Sequence, residues 1–254
     1  MTQSSISESP HAVSDSAEAI RTSLAGVVLL GLSALGALLI INGFEYFQTM
    51  LGFESFALTF LVGGGLATLW LAVLGAAYLQ FRPVELYYGI RRPTLSDVGW
   101  IIGGLLISIF VAVLIEIVVL PFGDGGATTI SAAAGVENPV LIYTIFFIGN
   151  LVFIAPVEEF LFRGVIQGRL RESFGPIVAI SFTSIGFALG HIPSYWFGGS
   201  DLLSVSVGGA LLGIGAGGFI LGGIYERTES LLIVSIIHGL LNSVGIVLAL
   251  LALL

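Results

Sequence analysis

The 254-residue chain has no cysteine and no lysine, and only 9% of its residues are charged. The lack of cysteine excludes disulfide bonds, thiolate metal sites and thiol catalysis. Soluble domains carry roughly 25% charged residues, so the low charge excludes a water-soluble globule, a disordered chain and a nucleic-acid binder. Hydrophobic residues make up 56% of the chain, and the mean hydropathy is +1.07. This composition predicts a protein that lies within a lipid bilayer.

Seven apolar segments follow one another, and most are long enough to cross the ~30 Å hydrocarbon core of a membrane. They lie at 22–42, 56–80, 98–120, 139–169, 176–192, 202–224 and 230–254. The fold class is therefore predicted as all-α, a polytopic membrane helix bundle of about seven transmembrane helices. Residues 1–21 are polar and predict a disordered tail. Residues 22–138 form the N-terminal membrane helices, and 139–254 form a membrane core that carries the chemistry.

The basic residues predict the topology. With seven spans, all eight arginines fall on one side of the membrane: Arg21, Arg82, Arg91, Arg92, Arg163, Arg169, Arg171 and Arg227. The opposite loops carry only acidic residues, namely Glu45, Glu54, Asp124, Glu137 and Asp201. The positive-inside rule then predicts a multi-pass protein of the cell membrane with a cytoplasmic N-terminus and an outside C-terminus. Splitting the fourth segment at Pro156 would scatter the arginines, so we predict one long helix with Pro156 as the place for a kink.

A few polar residues interrupt the apolar segments, and each needs a reason because polar groups are costly in lipid. Glu159 and Arg163 stand at i,i+4 with the acid first, which favours an ion pair. Glu158 has no such partner in its own helix, and Glu116 has no predicted role. The full set is Glu116, Asn150, Glu158, Glu159, Arg163, His191, His238 and Asn242. On the sixth segment, Gly209, Gly213 and Gly217 at a spacing of four, together with Gly218 and Gly222, predict close helix packing.

Depth in the membrane predicts that Glu158, His191 and His238 meet. At 1.5 Å per residue they lie roughly 16, 22 and 13 Å from the cytoplasmic ends of their helices. A carboxylate and an imidazole suit the activation of water, while a second imidazole and the amide of Asn242 suit the stabilisation of an oxyanion. Alternatively, the carboxylate and the two imidazoles would hold Zn²⁺ with one open position. Both alternatives point to hydrolysis.

Three motifs resemble those of the CPBP family, the CAAX-protease and bacteriocin-processing membrane proteins related to type II CAAX prenyl endopeptidases. They are Glu158-Glu159-x-x-x-Arg163, Phe187-x-x-x-His191 and His238-x-x-x-Asn242. The resemblance covers about 139–254. It implies a membrane-embedded endopeptidase, labelled a metalloprotease in part of the family, whose helices surround a cavity open to the cytoplasm. Its substrates would be membrane-associated proteins or peptides, and "CAAX" itself is not carried over.

The resemblance also implies roles for single residues. Glu158 and His191 would activate the water, and His238 and Asn242 would stabilise the oxyanion. His238 would otherwise be a metal ligand. The supporting residues would be Glu159, Arg163 and Phe187. The alternatives are a non-catalytic membrane scaffold or bacteriocin-immunity-type factor with the same fold, and a small transporter, which the lack of an inverted repeat disfavours.

Overall fold

The computed structural model describes residues 10–53, 55–83, 94–123, 138–197 and 199–251. Seven helices in these ranges are long and apolar enough to cross a membrane, which confirms the all-α fold class and the predicted count. They are α1 (Pro10–Met50), α2 (Gly64–Phe81), α3 (Leu95–Val119), α4 (Pro139–Arg171), α5 (Pro176–Gly190), α6 (Val205–Thr228) and α7 (Leu231–Leu251). A short helix (Phe56–Leu58) and a π-helical segment (Thr59–Gly63) precede α2, and another short helix (Ile192–Phe197) follows α5.

Side-chain caps fix where several helices begin. Thr94 and Asp97 form a capping box at the start of α3, in which each side chain bonds the other residue's backbone N–H. Asn138 and Ser204 accept from backbone N–H groups in the first turns of α4 and α6. These caps satisfy donors that have no partner within the helix. At the other end of α6, Glu229 adopts the left-handed conformation (φ 50°) and stops the helix.

Helix α4 is continuous through Pro156, as predicted, but it is not a regular α-helix. Two π-helical segments, Asn150–Ile154 and Phe160–Gln167, flank the α-helical residues Ala155–Glu159. The departures from α geometry therefore lie on both sides of Pro156. Insertions of π geometry change the rotation of a helix and are frequent at functional sites. Here they set the direction of the residues between them.

Helix α1 begins at Pro10, whereas the sequence predicted a disordered tail as far as residue 21. Contacts with the end of α4 give its polar residues partners. Oε1 of Glu18 lies 2.5 Å from Nη2 of Arg169, and the hydroxyls of Thr22 and Ser173 are 3.0 Å apart. The tail prediction for residues 1–9 lies outside the described residues. So do the predicted positions of Glu54, Arg91, Arg92, Asp124 and Glu137.

Two ion pairs at the end of α4 join it to the start of α1 and to the end of α6. Arg169 pairs with Glu18, and Arg171 pairs with Glu226 over 3.0 Å. Arg169 and Arg171 therefore lie at one face of the bundle with the start of α1 and the end of α6, as the alternating direction of successive spans requires. Arg163 does not lie at this face, so its predicted position is wrong. Its side chain is 1% exposed and lies inside the bundle, because Glu159 is its partner.

Helix α6 packs against α3 and α5 through some, but not all, of the glycines that the sequence singled out. A Cβ added to Gly209 would lie 2.8 Å from Val119, and one added to Gly222 would lie 2.9 Å from Ile180. A Cβ on Gly213 would meet no atom within 4 Å. Close approach therefore depends on Gly209 and Gly222, because these two face neighbouring helices and Gly213 does not.

Candidate active site

The imidazole of His238 on α7 lies between two carboxylates from α4. Its Nδ1 is 2.7 Å from Oε1 of Glu159, and its Nε2 is 3.5 Å from Oε2 of Glu158. The ring is buried, at 4% exposure, whereas the side chain of Glu158 is 17% exposed. Adjacent residues of a helix point about 100° apart, and the ring fills the gap between them. Both acids of the first motif therefore contact the histidine of the third.

Glu159 is fully buried and is compensated by Arg163. Its Oε1 lies 3.2 Å from Nη1 of Arg163, which is the ion pair that the i,i+4 spacing predicts. The Nη2 of Arg163 donates to the carbonyl oxygen of Gly218 on α6 over 3.1 Å. A buried charge needs such a partner, because its desolvation is otherwise uncompensated. The pair also links α4 to α6 behind the site.

Hydrogen bonds fix the proton positions on both imidazoles. Nδ1 of His191 lies 2.8 Å from the carbonyl oxygen of Phe187, and since a carbonyl only accepts, Nδ1 carries the proton. The Nε2 of a neutral His191 is then a free acceptor. In the same way, Nδ1–H of His238 donates to the carboxylate of Glu159, which directs Nε2 at Glu158. Each histidine therefore turns Nε2 away from its structural hydrogen bond.

The ring of Phe187 joins the three motifs. Its centroid lies 4.8 Å from that of His191 and 5.6 Å from that of His238, both edge to face. The guanidinium carbon of Arg163 lies 4.9 Å from the same centroid, within range of a cation–π interaction. The ring is buried at 4% exposure. Phe187 thus holds both imidazoles and the arginine around one apolar surface.

Asn242 is held by Asn150, a residue for which the sequence predicts no role. Its Nδ2 donates to Oδ1 of Asn150 over 3.4 Å, and Nδ2 of Asn150 donates to the carbonyl oxygen of Phe146 over 2.9 Å. Asn150 is the first residue of a π-helical segment of α4. Its only signal in the sequence is that it is an amide within an apolar segment, two turns before Glu158.

The zinc alternative calls for a set of side chains grouped as metal ligands. No three histidine, aspartate or glutamate side chains among them are grouped as metal ligands. Both nitrogens of His238 face carboxylates, and Nδ1 of His191 bonds a backbone carbonyl. Glu158, His191 and His238, the set that suggested Zn²⁺, therefore do not form such a group, although a hydrogen bond from Nδ1 is one that a metal-binding histidine also makes.

The structure brings together the motifs that the sequence singled out and adds connections that the spacing did not reveal. Glu158, Glu159 and His238 are in direct contact, and Phe187 links them to His191. Gln167, four residues after Arg163, repeats the link to α6 by donating to the carbonyl oxygen of Gly222 over 3.3 Å. Glu116 is exposed on α3 and takes no part in these contacts.

Residues 140–244 match the family model described as Type II CAAX prenyl endopeptidase Rce1-like. The matched region contains all three motifs, and the match confirms the resemblance to the CPBP family. The family is generally one of proteases. No curated protein and no solved structure gives a significant match to the chain.

Proposed function

We propose that the protein is an intramembrane endopeptidase that hydrolyses peptide bonds of membrane-associated proteins or peptides. The observation that carries this proposal is the contact of His238 with both Glu158 and Glu159. A structural histidine in a membrane needs one partner to satisfy its N–H. His238 instead contacts two carboxylates. Glu159 holds the ring through Nδ1, and Glu158 lies beside Nε2 as a proton acceptor. General acid–base catalysis uses such a proton acceptor next to a proton donor.

In the proposed reaction, Glu158 is the general base. It is the most exposed of the site's two acids, at 17% of its side chain, so water reaches it while Glu159 stays dry. Glu158 takes a proton from a water molecule, and Nε2 of His191 accepts the water's second hydrogen and orients it. The resulting hydroxide attacks the carbonyl carbon of the peptide bond. The proton then passes to the leaving amine as the tetrahedral intermediate collapses.

His238 and Asn242 are proposed to stabilise the negative oxygen of that intermediate. The carboxylate of Glu159 accepts from Nδ1–H of His238 and stabilises the protonated imidazole, as the acid of a catalytic triad does. Nε2–H is then the donor. The amide of Asn242 has one N–H directed at Asn150 and a second N–H available for the oxygen. No step of the proposed reaction requires a metal ion.

The main rival is a non-catalytic scaffold, and substitutions at the water-activating pair separate the two. Substrates captured by a Glu158→Gln variant would be added to purified wild type, Glu158→Ala and His191→Ala. We expect the wild type to cut the captured polypeptide and both variants to leave it intact. Cleavage that survives in both variants would contradict the proposal. Glu45→Gln is the matched control, since Glu45 is an exposed acid on α1 away from the site.

We also propose that the N-terminus is cytoplasmic and the C-terminus outside. The ion pairs of Arg169 and Arg171 put basic residues of α4 beside the start of α1 and the end of α6, which supports one basic face. A reporter enzyme that works only outside the cytoplasm should be active when it is fused to the C-terminus. An inactive fusion, together with an active one placed in the loop between α6 and α7, would reverse the orientation.

A further inference from the structure

A groove between α3 and α6 is separate from the proposed active site. It encloses about 480 Å³. Its walls include Ser96, Gly99, Gly103 and Ile107 on α3 and Ile220 and Ile224 on α6. A Cβ on Gly99 or Gly103 would meet no atom within 4 Å, so these glycines open the groove rather than bring helices together. The space is therefore built into the surface that faces lipid.

The length of the groove matches one leaflet of a bilayer. From Ser96 to Ile107 the helix rises by about 17 Å, roughly half of the ~30 Å hydrocarbon core. The groove starts in the first turn of α3, at the end of its membrane span, and stops near the middle. A transmembrane helix from a second copy would bury a strip along the whole span. A single acyl chain of a lipid in one leaflet fits the observed length.

An arginine lies at the mouth of the groove. Arg227 follows Ile220 and Ile224 at seven and three residues, so all three lie within about 60° of arc on one face of α6. Its side chain is exposed at the end of the helix, and none of the ion pairs among the described residues involves it. Of the neighbouring acids, Glu226 pairs with Arg171 and Asp97 caps α3, whereas Glu229 is exposed beyond the end of α6.

We propose that this groove binds an anionic phospholipid, with one acyl chain between α3 and α6 and the phosphate at Arg227. The hydroxyl of Ser96, which also lines the groove in the first turn of α3, is placed to donate to the same phosphate. Basic pockets between membrane helices bind anionic headgroups in this way, and each arginine at the surface favours an anionic lipid. The proposal does not depend on peptidase activity.

The test titrates purified full-length protein in detergent with phosphatidylglycerol or phosphatidylcholine and counts bound lipids by native mass spectrometry. The wild type should bind one phosphatidylglycerol more tightly than phosphatidylcholine. Gly103→Leu, whose side chain would fill the groove, should lose that lipid. Arg227→Gln should weaken phosphatidylglycerol roughly fivefold and leave phosphatidylcholine unchanged.

Matched variants control each change. Gly31→Leu adds the same side chain at an open position on α1, and Arg82→Gln removes another exposed arginine. Neither should alter lipid binding. Equal occupancy in wild type and Gly103→Leu, or equal affinity for the two headgroups, would overturn the proposal. A change of oligomeric state in Gly103→Leu without loss of lipid would assign the groove to a second copy and overturn it too. Arg227→Gln alters only a surface charge, so it tests the headgroup contact even if Gly103→Leu does not fold.

Discussion

The imidazole of His238 donates from Nδ1 to Oε1 of Glu159 over 2.7 Å, and neither side chain is open to solvent. This bond joins the third motif to the first, across 79 residues of sequence. It fixes which nitrogen of the ring carries its structural proton and leaves Nε2 facing Glu158. The proposed chemistry follows from that orientation, because the same ring is held on one side and free to exchange a proton on the other.

The ion pair between Glu159 and Arg163 should contribute to the stability of the folded protein. Glu159→Gln or Arg163→Met leaves one buried charge without its partner, so each should lower the free energy of unfolding by about 3–5 kcal/mol. The double variant should lose clearly less than the sum, since both charges are gone. Thermal unfolding in detergent measures this. Arg171→Gln, at a partly exposed pair with Glu226, is the control and should cost about 0–1 kcal/mol. Additive losses in the double variant would argue against a coupled pair.

Asn150 should act through Asn242. If it positions the amide that stabilises the oxyanion, Asn150→Leu and Asn242→Leu should each lower kcat by roughly 10²–10³-fold. The double variant should be no slower than Asn242→Leu, because one function is lost once. Asn42→Leu is a matched control, since Nδ2 of Asn42 makes the same bond to a carbonyl four residues earlier, at 2.7 Å, on α1. Losses that multiply in the double variant would assign Asn150 a separate role.

Two glycines of α6 that look alike in the sequence should respond in opposite ways to alanine. Gly209→Ala puts a Cβ 2.8 Å from both methyl groups of Val119, so α3 and α6 must separate and the melting temperature should fall. Gly213→Ala meets no atom and gains helix propensity of up to about 1 kcal/mol. Its melting temperature should stay level or rise. Equal destabilisation by both would contradict the packing described.

Metal dependence separates the two chemistries that the sequence left open. Because no three histidine, aspartate or glutamate side chains among the described residues are grouped as metal ligands, we expect cleavage to persist after chelation and dialysis. Elemental analysis of purified wild type should find no stoichiometric zinc. Zinc bound one to one in wild type and lost in His238→Ala would make the metal-assisted route the correct one.

Hydrophobic runs and short spacings predicted the helices and the members of the site, because both are local properties. The pair of Glu159 with Arg163 follows from one turn of helix. The bond from Glu159 to His238 does not, since it depends on how α4 is rotated against α7. That rotation is set within the π-helical segments around Glu158 and Glu159, which no periodicity of the sequence marks.

The errors have a similar origin. Charge alone predicts Arg163 at the basic face, whereas its ion pair with the buried Glu159 holds it inside the bundle. The even spacing predicts Gly213 as a packing residue, but spacing along one helix does not show which neighbouring helix a residue faces. Polar composition predicts a disordered tail up to residue 21, whereas the structure begins α1 at Pro10 and pairs Glu18 with Arg169 on α4.

Glu158 is the general base of the proposed peptidase, and new N-termini of membrane proteins in cells test this role directly. Cells lacking the native copy would express wild type, Glu158→Gln or the control Glu45→Gln at equal levels, and N-termini of membrane proteins would be identified by mass spectrometry. We predict a set of N-termini present with wild type and Glu45→Gln and absent with Glu158→Gln. The same N-termini in all three strains would contradict the account.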